Sequence, residues 1–229
     1  MRDFLIIDTE TTCVDPAEGH LLEVAAVLFD PGMGIATRTY AALVAAEIEV
    51  NEARAINRIP AAAVWPGPSA TSRREVIDRV RQMARDGAPY ILAHNAAFDR
   101  GWLPEMDGDW ICTKEDAEWP MMPGGTGSLV NIALAYGLGV ARAHRAVEDC
   151  LTLAALLTRV HELEGGLDAW LARALEERVE MRSRQAFEEN HLAKAAGFRW
   201  DPERRGWFRR VRVSQAEAFV AGLPFGVSR

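Results

Sequence analysis

An α/β domain built on a mixed sheet, followed by a small second module, is what this sequence predicts, and three observations predict it. Three strand-like stretches near the N-terminus are joined by short turns, the pattern of an antiparallel meander. Beyond Ser72 the pattern changes to helix–strand alternation, which places helices on the faces of a sheet that also has parallel strands. From Ala146 to Leu163 the chain is apolar nearly all round, as only a deeply buried helix is.

The elements follow in order. Phe4 to Ile7 is an apolar run that reads as a buried strand and continues into Asp8-Thr9-Glu10; two carboxylates two residues apart share one face of a strand. Leu21–Phe29 is a second buried strand, ended by Asp30-Pro31-Gly32, and Thr37–Val44 alternates weakly as a third. Ser72-Arg73-Arg74-Glu75 is a capping box for a helix whose apolar positions are Val76, Ile77, Val80, Met83 and Ala84, with Gly87 as its C-cap. Tyr90–Ala93 is a short buried strand ending in His94-Asn95, and the next helix carries Phe98 and Asp99. Ser128 caps a helix with Leu129, Ile132, Ala133 and Tyr136 on one face and Gly137 as its stop. Gly165-Gly166 closes the long buried helix and sets the expected boundary between a domain at 1–165 and a module at 166–229. That module reads as a connector helix from Leu167 to Arg184, then α-β-β-α. A helix at Phe187–Ala196 precedes a hairpin, Phe198–Trp200 and Trp207–Val211, and a second capping box, Ser214 to Glu217, opens the last helix.

Composition narrows the class. Apolar residues make up 49% of the 229 and charged residues 26%, ordinary for a globular protein. No apolar run has the length of a transmembrane helix, and Met1-Arg2-Asp3 leads directly into a core strand with no signal peptide; a cytoplasmic protein without membrane contact is expected. Cys13, Cys112 and Cys150 are scattered, suit a reducing compartment and have no zinc-site spacing. The net charge of −7 hides an asymmetry: Met181 to Arg212 holds nine Lys/Arg against four acids, a local +5, so the remainder carries −12.

Three acidic clusters carry the chemistry. His94-Asn-Ala-Ala-Phe-Asp99 begins where a buried strand ends, the place where ligands gather in α/β sheets. His144-Arg-Ala-Val-Glu-Asp149 opens the long helix, and Asp149 shares its inward face with Leu153 and Leu156. With Asp8 and Glu10, these would gather four carboxylates, whose mutual repulsion raises each pKa and destabilises the fold. Divalent cations remove the conflict. An oxygen-only ligand set suits Mg²⁺ or Mn²⁺, and two such ions roughly 3.5–4 Å apart serve in-line phosphoryl transfer. His144, in the loop before the helix, is placed to take a proton from an attacking water. His94 reads as a hydrogen-bonded residue shaping the site, Glu148 as solvated, and Glu23 and Asp30 as strand-flank acids outside it.

Asp8-Thr9-Glu10, His94 to Asp99 and His144 to Asp149, in this order, resemble the three motifs of the DEDD (DnaQ-like) 3′–5′ exonucleases. The His-x-Ala-x-x-Asp spacing of the third is similar to that of their histidine subgroup. The resemblance covers about residues 1–165. It implies an RNase H-like fold and stepwise hydrolysis of the 3′-terminal phosphodiester, mainly of single-stranded DNA, releasing nucleoside 5′-monophosphates. It further implies two Mg²⁺ (or Mn²⁺) held by Asp8, Glu10, Asp99 and Asp149, with His144 as general base. Thr9, Thr11, Ile59, His94, Asn95 and Phe98 would line the terminal-nucleotide pocket. Two departures bear on that pocket: Cys13 stands where many relatives have Gly, and Asn57-Arg58-Ile59 where they often carry His-Gly-Ile.

The tail lies outside the resemblance. Trp200, Trp207 and Phe208 among Arg199, Arg204, Arg205, Arg209 and Arg210 either contact nucleic acid by stacking and phosphate binding, or form the core of a mini-domain with a solvated basic rim, or do both, with the aromatics as core and only the arginines touching nucleic acid. The alternative functions are an exoribonuclease trimming RNA 3′ ends, and a polymerase-associated proofreading or end-binding protein; a polymerase partner is compatible with the sequence but not required by it.

Overall fold

Phe4–Thr11 forms β1, the central strand of a five-stranded sheet. Its odd and even residues point to opposite faces. Leu5 and Ile7 join one hydrophobic cluster, while Phe4 and Ile6 join another beneath the long helix. Asp8 and Glu10 continue the even series, so they emerge on the long-helix side. β2 (Leu21–Asp30) and β3 (Ile35–Leu43) extend the sheet antiparallel on one side of β1. β4 (Tyr90–Ala93) and β5 (Asp109–Cys112) extend it parallel on the other. The strand order is β3-β2-β1-β4-β5, the mixed sheet expected from the sequence.

The structure is a computed structural model that describes residues 2–68, 70–85, 90–121 and 127–229; the C-cap expected at Gly87 falls outside them. Two one-turn helices that the sequence pattern did not signal, α1 (Arg54–Asn57) and α2 (Ala61–Val64), follow the meander. α3 (Arg73–Arg85) begins at the expected capping box. The Ser72 hydroxyl donates to Glu75 Oε2 at 2.5 Å, and Glu75 N–H donates to Ser72 Oγ at 3.3 Å. α4 (Ala96–Trp102) leaves the end of β4 through Asn95 in the left-handed region, φ +95°. α5 (Leu129–Ala135) starts at Ser128, whose Oγ accepts Asn131 N–H. α6 (Ala146–Glu164) lies against the sheet, with Cys150, Leu153, Leu156, Leu157 and Val160 buried.

The chain divides into two compact units, Met1–Ala174 and Leu175–Arg229. The helix expected from Leu167 to Arg184 is instead α7 (Asp168–Leu175) followed by β6 (Arg178–Arg184). Trp170 explains where α7 belongs: it is buried, with its ring centroid 6.3 Å from Phe4 and 5.9 Å from Trp119. The second unit is a four-stranded antiparallel sheet of order β7-β8-β6-β9, with β7 (Arg199–Asp201), β8 (Gly206–Arg212) and β9 (Gly226–Ser228). Two short helices, α8 (Asn190–Ala195) and α9 (Ala216–Ala221), complete it, so it has two strands more than the expected α-β-β-α. The second capping box does not form: Ser214 N–H donates to Glu176 Oε1 at 2.9 Å instead. No described helix is long and apolar enough to cross a membrane.

Candidate active site

The sheet and α6 bring three of the four expected acids to one point. Asp8, Glu10 and Asp149 each offer an oxygen, and the three lie within 4.8 Å of one another. The fourth, Asp99, is 2% exposed in the first turn of α4. Its Oδ1 accepts the Thr9 hydroxyl at 2.8 Å, so Thr9, facing away from Asp8 along β1, fixes Asp99. Asp149 is fixed from the other side, its Oδ2 accepting His144 N–H at 3.1 Å. His144 holds φ +63° and is exposed, which leaves its ring outside the helix.

The electrostatics are those of a site short of positive charge. Burial, then Asp99, Asp149 and Glu10 in turn, push the Asp8 carboxyl well above its ordinary value. Glu10 is pushed up to about 8, chiefly by burial and then by Asp149. Burial also raises Asp99 and Asp149. An all-carboxylate donor set with these shifts fits a hard divalent cation, which would hold the groups ionised.

Glu23 is the residue whose role the sequence reading missed. It lies directly opposite Glu10 in the β1–β2 ladder, on the same face, where like charges repel. It is nearly fully buried, and Arg145 closes on it through two hydrogen bonds of 2.7 and 2.9 Å. Its Oε2 also accepts Ala146 N–H at 3.1 Å, so Glu23 caps the start of α6 in place of a local side chain. One carboxylate thus anchors the segment that carries both His144 and Asp149.

A cavity of about 730 Å³ opens over these acids, lined by Thr9, Thr11, His94, Asn95, Phe98 and His144 among others. His94 spends both ring nitrogens on the protein: Nε2 is 3.2 Å from the Gly127 carbonyl and Nδ1 is 3.2 Å from Thr113 Oγ1. Burial lowers its pKa to about 4, so the ring is neutral and Nε2 carries the proton. Ile59 corrects the expectation of a residue in the pocket: it is 2% exposed and packs with Leu22, Ile48 and Val64. Ile56, 57% exposed, lines the cavity instead. The reason is Asn57, which is buried, donates to the Thr11 carbonyl at 3.0 Å and accepts from Asn51 at 2.9 Å. Those bonds dock α1 against the end of β1, with Ile56 turned outward and Ile59 inward.

In the second unit the tail residues separate by face. Arg209 pairs with Met181 in the β6–β8 ladder and so faces the core. It donates to the Ala196 carbonyl, and its guanidinium sits 4.5 Å from the Phe219 ring centroid. Gly197, at φ +77°, permits this, since a Cβ there would stand 2.6 Å from Arg209 Nη1. Trp207 also packs against the core, and Trp200, 52% exposed, meets it edge-on at 5.9 Å. Of the readings the sequence leaves open, Arg209 and Trp207 take the core one, since both are committed to folding the unit. Arg199, Arg204, Arg205 and Arg210 remain exposed.

A carboxylate cluster at the end of a central strand, under a helix that supplies an acid and a preceding histidine, defines a nuclease-like site on an α/β sheet. The comparisons agree. A family model described as Exonuclease matches residues 5–157, and the chain belongs to that family, as a 3′–5′ exonuclease of the DnaQ-like type. Exodeoxyribonuclease 10 of Escherichia coli K12 is 34% identical over 168 residues, covering 70% of this chain and 69% of that protein. The solved structure of Exonuclease X in complex with 5′ overhanging duplex DNA aligns with a TM-score of 0.58 at 30% identity, over 75% of this chain and 98% of that one. The nuclease domain of 3′hExo, a DEDDh family member bound to rAMP, shares the fold at 18% identity, with a TM-score of 0.57 over 71% of this chain and 92% of its own. Residues 179–229 match a second model, described as a domain of unknown function.

Proposed function

We propose that the first unit removes nucleotides one at a time from the 3′ end of single-stranded DNA, using two Mg²⁺ or Mn²⁺ ions. The observation that carries this is the convergence of Asp8, Glu10 and Asp149 within 4.8 Å, under a cavity that Asp99 also lines. These four carboxylates would hold the ions, which supply positive charge for the attacking and departing oxygens. His144 accepts the proton of the attacking water; its main-chain N–H holds Asp149, and its exposed side chain lines the cavity, which leaves it able to reach solvent and substrate together. Phe98 and Ile56 give the cavity an apolar wall for the terminal base, and Thr9, Thr11 and Asn95 lie along the same cavity. A relative 34% identical to the chain is named an exodeoxyribonuclease, which favours DNA as the substrate. RNA 3′ ends are the alternative, and association with a polymerase is not needed for the chemistry.

The test is a time course on 5′-labelled DNA and RNA of one sequence, with Mg²⁺, Mn²⁺ or EDTA. The expected result is a ladder shortening from the 3′ end, faster on DNA and absent in EDTA. His144→Asn, chosen because Asn tolerates positive φ, slows it by about a hundred-fold or more. Intact substrate in every lane, with a retarded band on a native gel, would make this an end-binding protein.

A further inference from the structure

The second unit has one sheet face that its own helices leave open. Residues paired across an antiparallel ladder share a face, so the pairs sort the side chains without ambiguity. Val179, Met181, Trp207, Val211 and Val227 point to the side where Ala193, Phe198 and Ala216 pack. The opposite face receives Arg178, Arg182 and Arg184 from β6, Arg210 and Arg212 from β8, and Arg199 from β7. Its strand acids are Glu180 and Asp201, and both are engaged. Glu180 is held by Arg204 through bonds of 3.0 and 2.5 Å, and Asp201 Oδ1 accepts the N–H groups of Glu203 and Arg204 at 2.9 Å.

We infer that this arginine face docks single-stranded nucleic acid. Two features select that partner. Arg182, Arg184, Arg199 and Arg210 are exposed on one surface, the charge pattern a phosphodiester backbone neutralises. Second, the Arg204 guanidinium lies 3.6 Å from the Phe208 ring centroid, clamped in plane by Glu180. A guanidinium fixed in this way against an aromatic ring offers its outer face to an unstacked base. A fully paired duplex has no such base to give. Arg212 takes no part: it is 9% exposed and paired with Glu176. The inference rests on the proposed function for its choice of a nucleic acid, but not on any residue of the acidic site.

The test uses the full chain in EDTA, so that nothing is cleaved, and follows the anisotropy of a labelled oligothymidylate. Arg182→Gln/Arg184→Gln/Arg210→Gln should weaken binding tenfold or more. It should also flatten the plot of log K against log salt by about 2, at about 0.7 per lost phosphate contact. A charge-matched control on α3, Arg74→Gln/Arg79→Gln/Arg81→Gln, should leave both unchanged. Arg204→Lys keeps the charge and loses the plane, so affinity should fall at least threefold with the salt slope kept. An unchanged melting temperature in the face triple confirms that it folds. Equal losses in the two triples would overturn the inference, as would equal affinity of the wild type for blunt duplex DNA or heparin. Hydrolysis of the nitrophenyl ester of thymidine 5′-monophosphate with Mn²⁺ reports separately on the acidic site. It should be unaffected in the face triple, and its absence in the wild type would defeat the proposed exonuclease while leaving this face standing.

Discussion

Both units gather charge of one sign beside a sheet, and they do so with opposite consequences. In the first unit the like charges are Asp8, Glu10, Asp99 and Asp149, packed where water is scarce and raised in pKa by burial, with the neighbouring acids adding to the rise at Asp8 and Glu10. In the second the like charges are arginines at the surface, where water screens them and local acids already hold some of them. A buried cluster of one sign is incomplete until a counterion arrives, and it stores repulsion until then. An exposed one costs little and waits for a partner with no strain in the fold. The acids are thus tuned for function against stability, whereas the arginines are close to neutral for stability.

Asp8→Asn should produce the largest effect. It removes a ligand and one negative charge while keeping the shape of the side chain. Exonuclease activity should fall by more than about a hundred-fold, beyond what loss of an outer partner costs at a metal site. In EDTA the same variant should melt at a higher temperature than the wild type, and the rise in melting temperature that Mg²⁺ gives the wild type should shrink. Loss of activity together with a lower melting temperature in EDTA would mean that Asp8 is a structural acid.

Glu23→Gln is the next largest. The amide leaves Arg145 half-buried without its carboxylate and weakens the cap on α6. Because that helix start sets both His144 and Asp149, kcat should drop about tenfold with KM for DNA little changed. Stability should fall by roughly 1–3 kcal/mol. A variant that melts lower but keeps full kcat would confine Glu23 to folding.

Glu23 also marks the limit of what the sequence carried. Asp8, Glu10, Asp99 and Asp149 were legible because each sits within a short motif whose strand or helix start fixes its direction. Glu23 was read as a flanking acid because its partner, Arg145, is distant in sequence, and nothing local distinguishes a solvated strand acid from a buried anchor. Ile59 failed for a related reason: a hydrogen bond from Asn57 to the end of β1 decides which isoleucine faces the cavity. β6 reads as helix from the sequence because its outward positions are charged, which hides the alternation of Val179 and Met181 inside. The residues that set the second unit's two faces became evident only with the strand register.

The smallest effect separates the units most directly. Glu10 moves from an ordinary 4.5 to about 8 on folding, so between these values the native state keeps a proton that the unfolded chain has shed. Raising the pH through that window without metal therefore costs stability, most of it before pH 8. Each 1 kcal/mol lost in that window lowers the melting temperature by about 2–4 °C for a chain of this size. Mg²⁺ should remove most of that slope, because ions bound in the native state hold the carboxylates ionised. Hydrogen exchange at pH 8 with and without Mg²⁺ then assigns the effect to a region. Protection of β1 should increase with the ion, while β8, whose sheet has no buried acid cluster among the described residues, should exchange at the same rate in both. Equal gains in both strands would mean that the metal stabilises the chain through general charge rather than through the acids of β1.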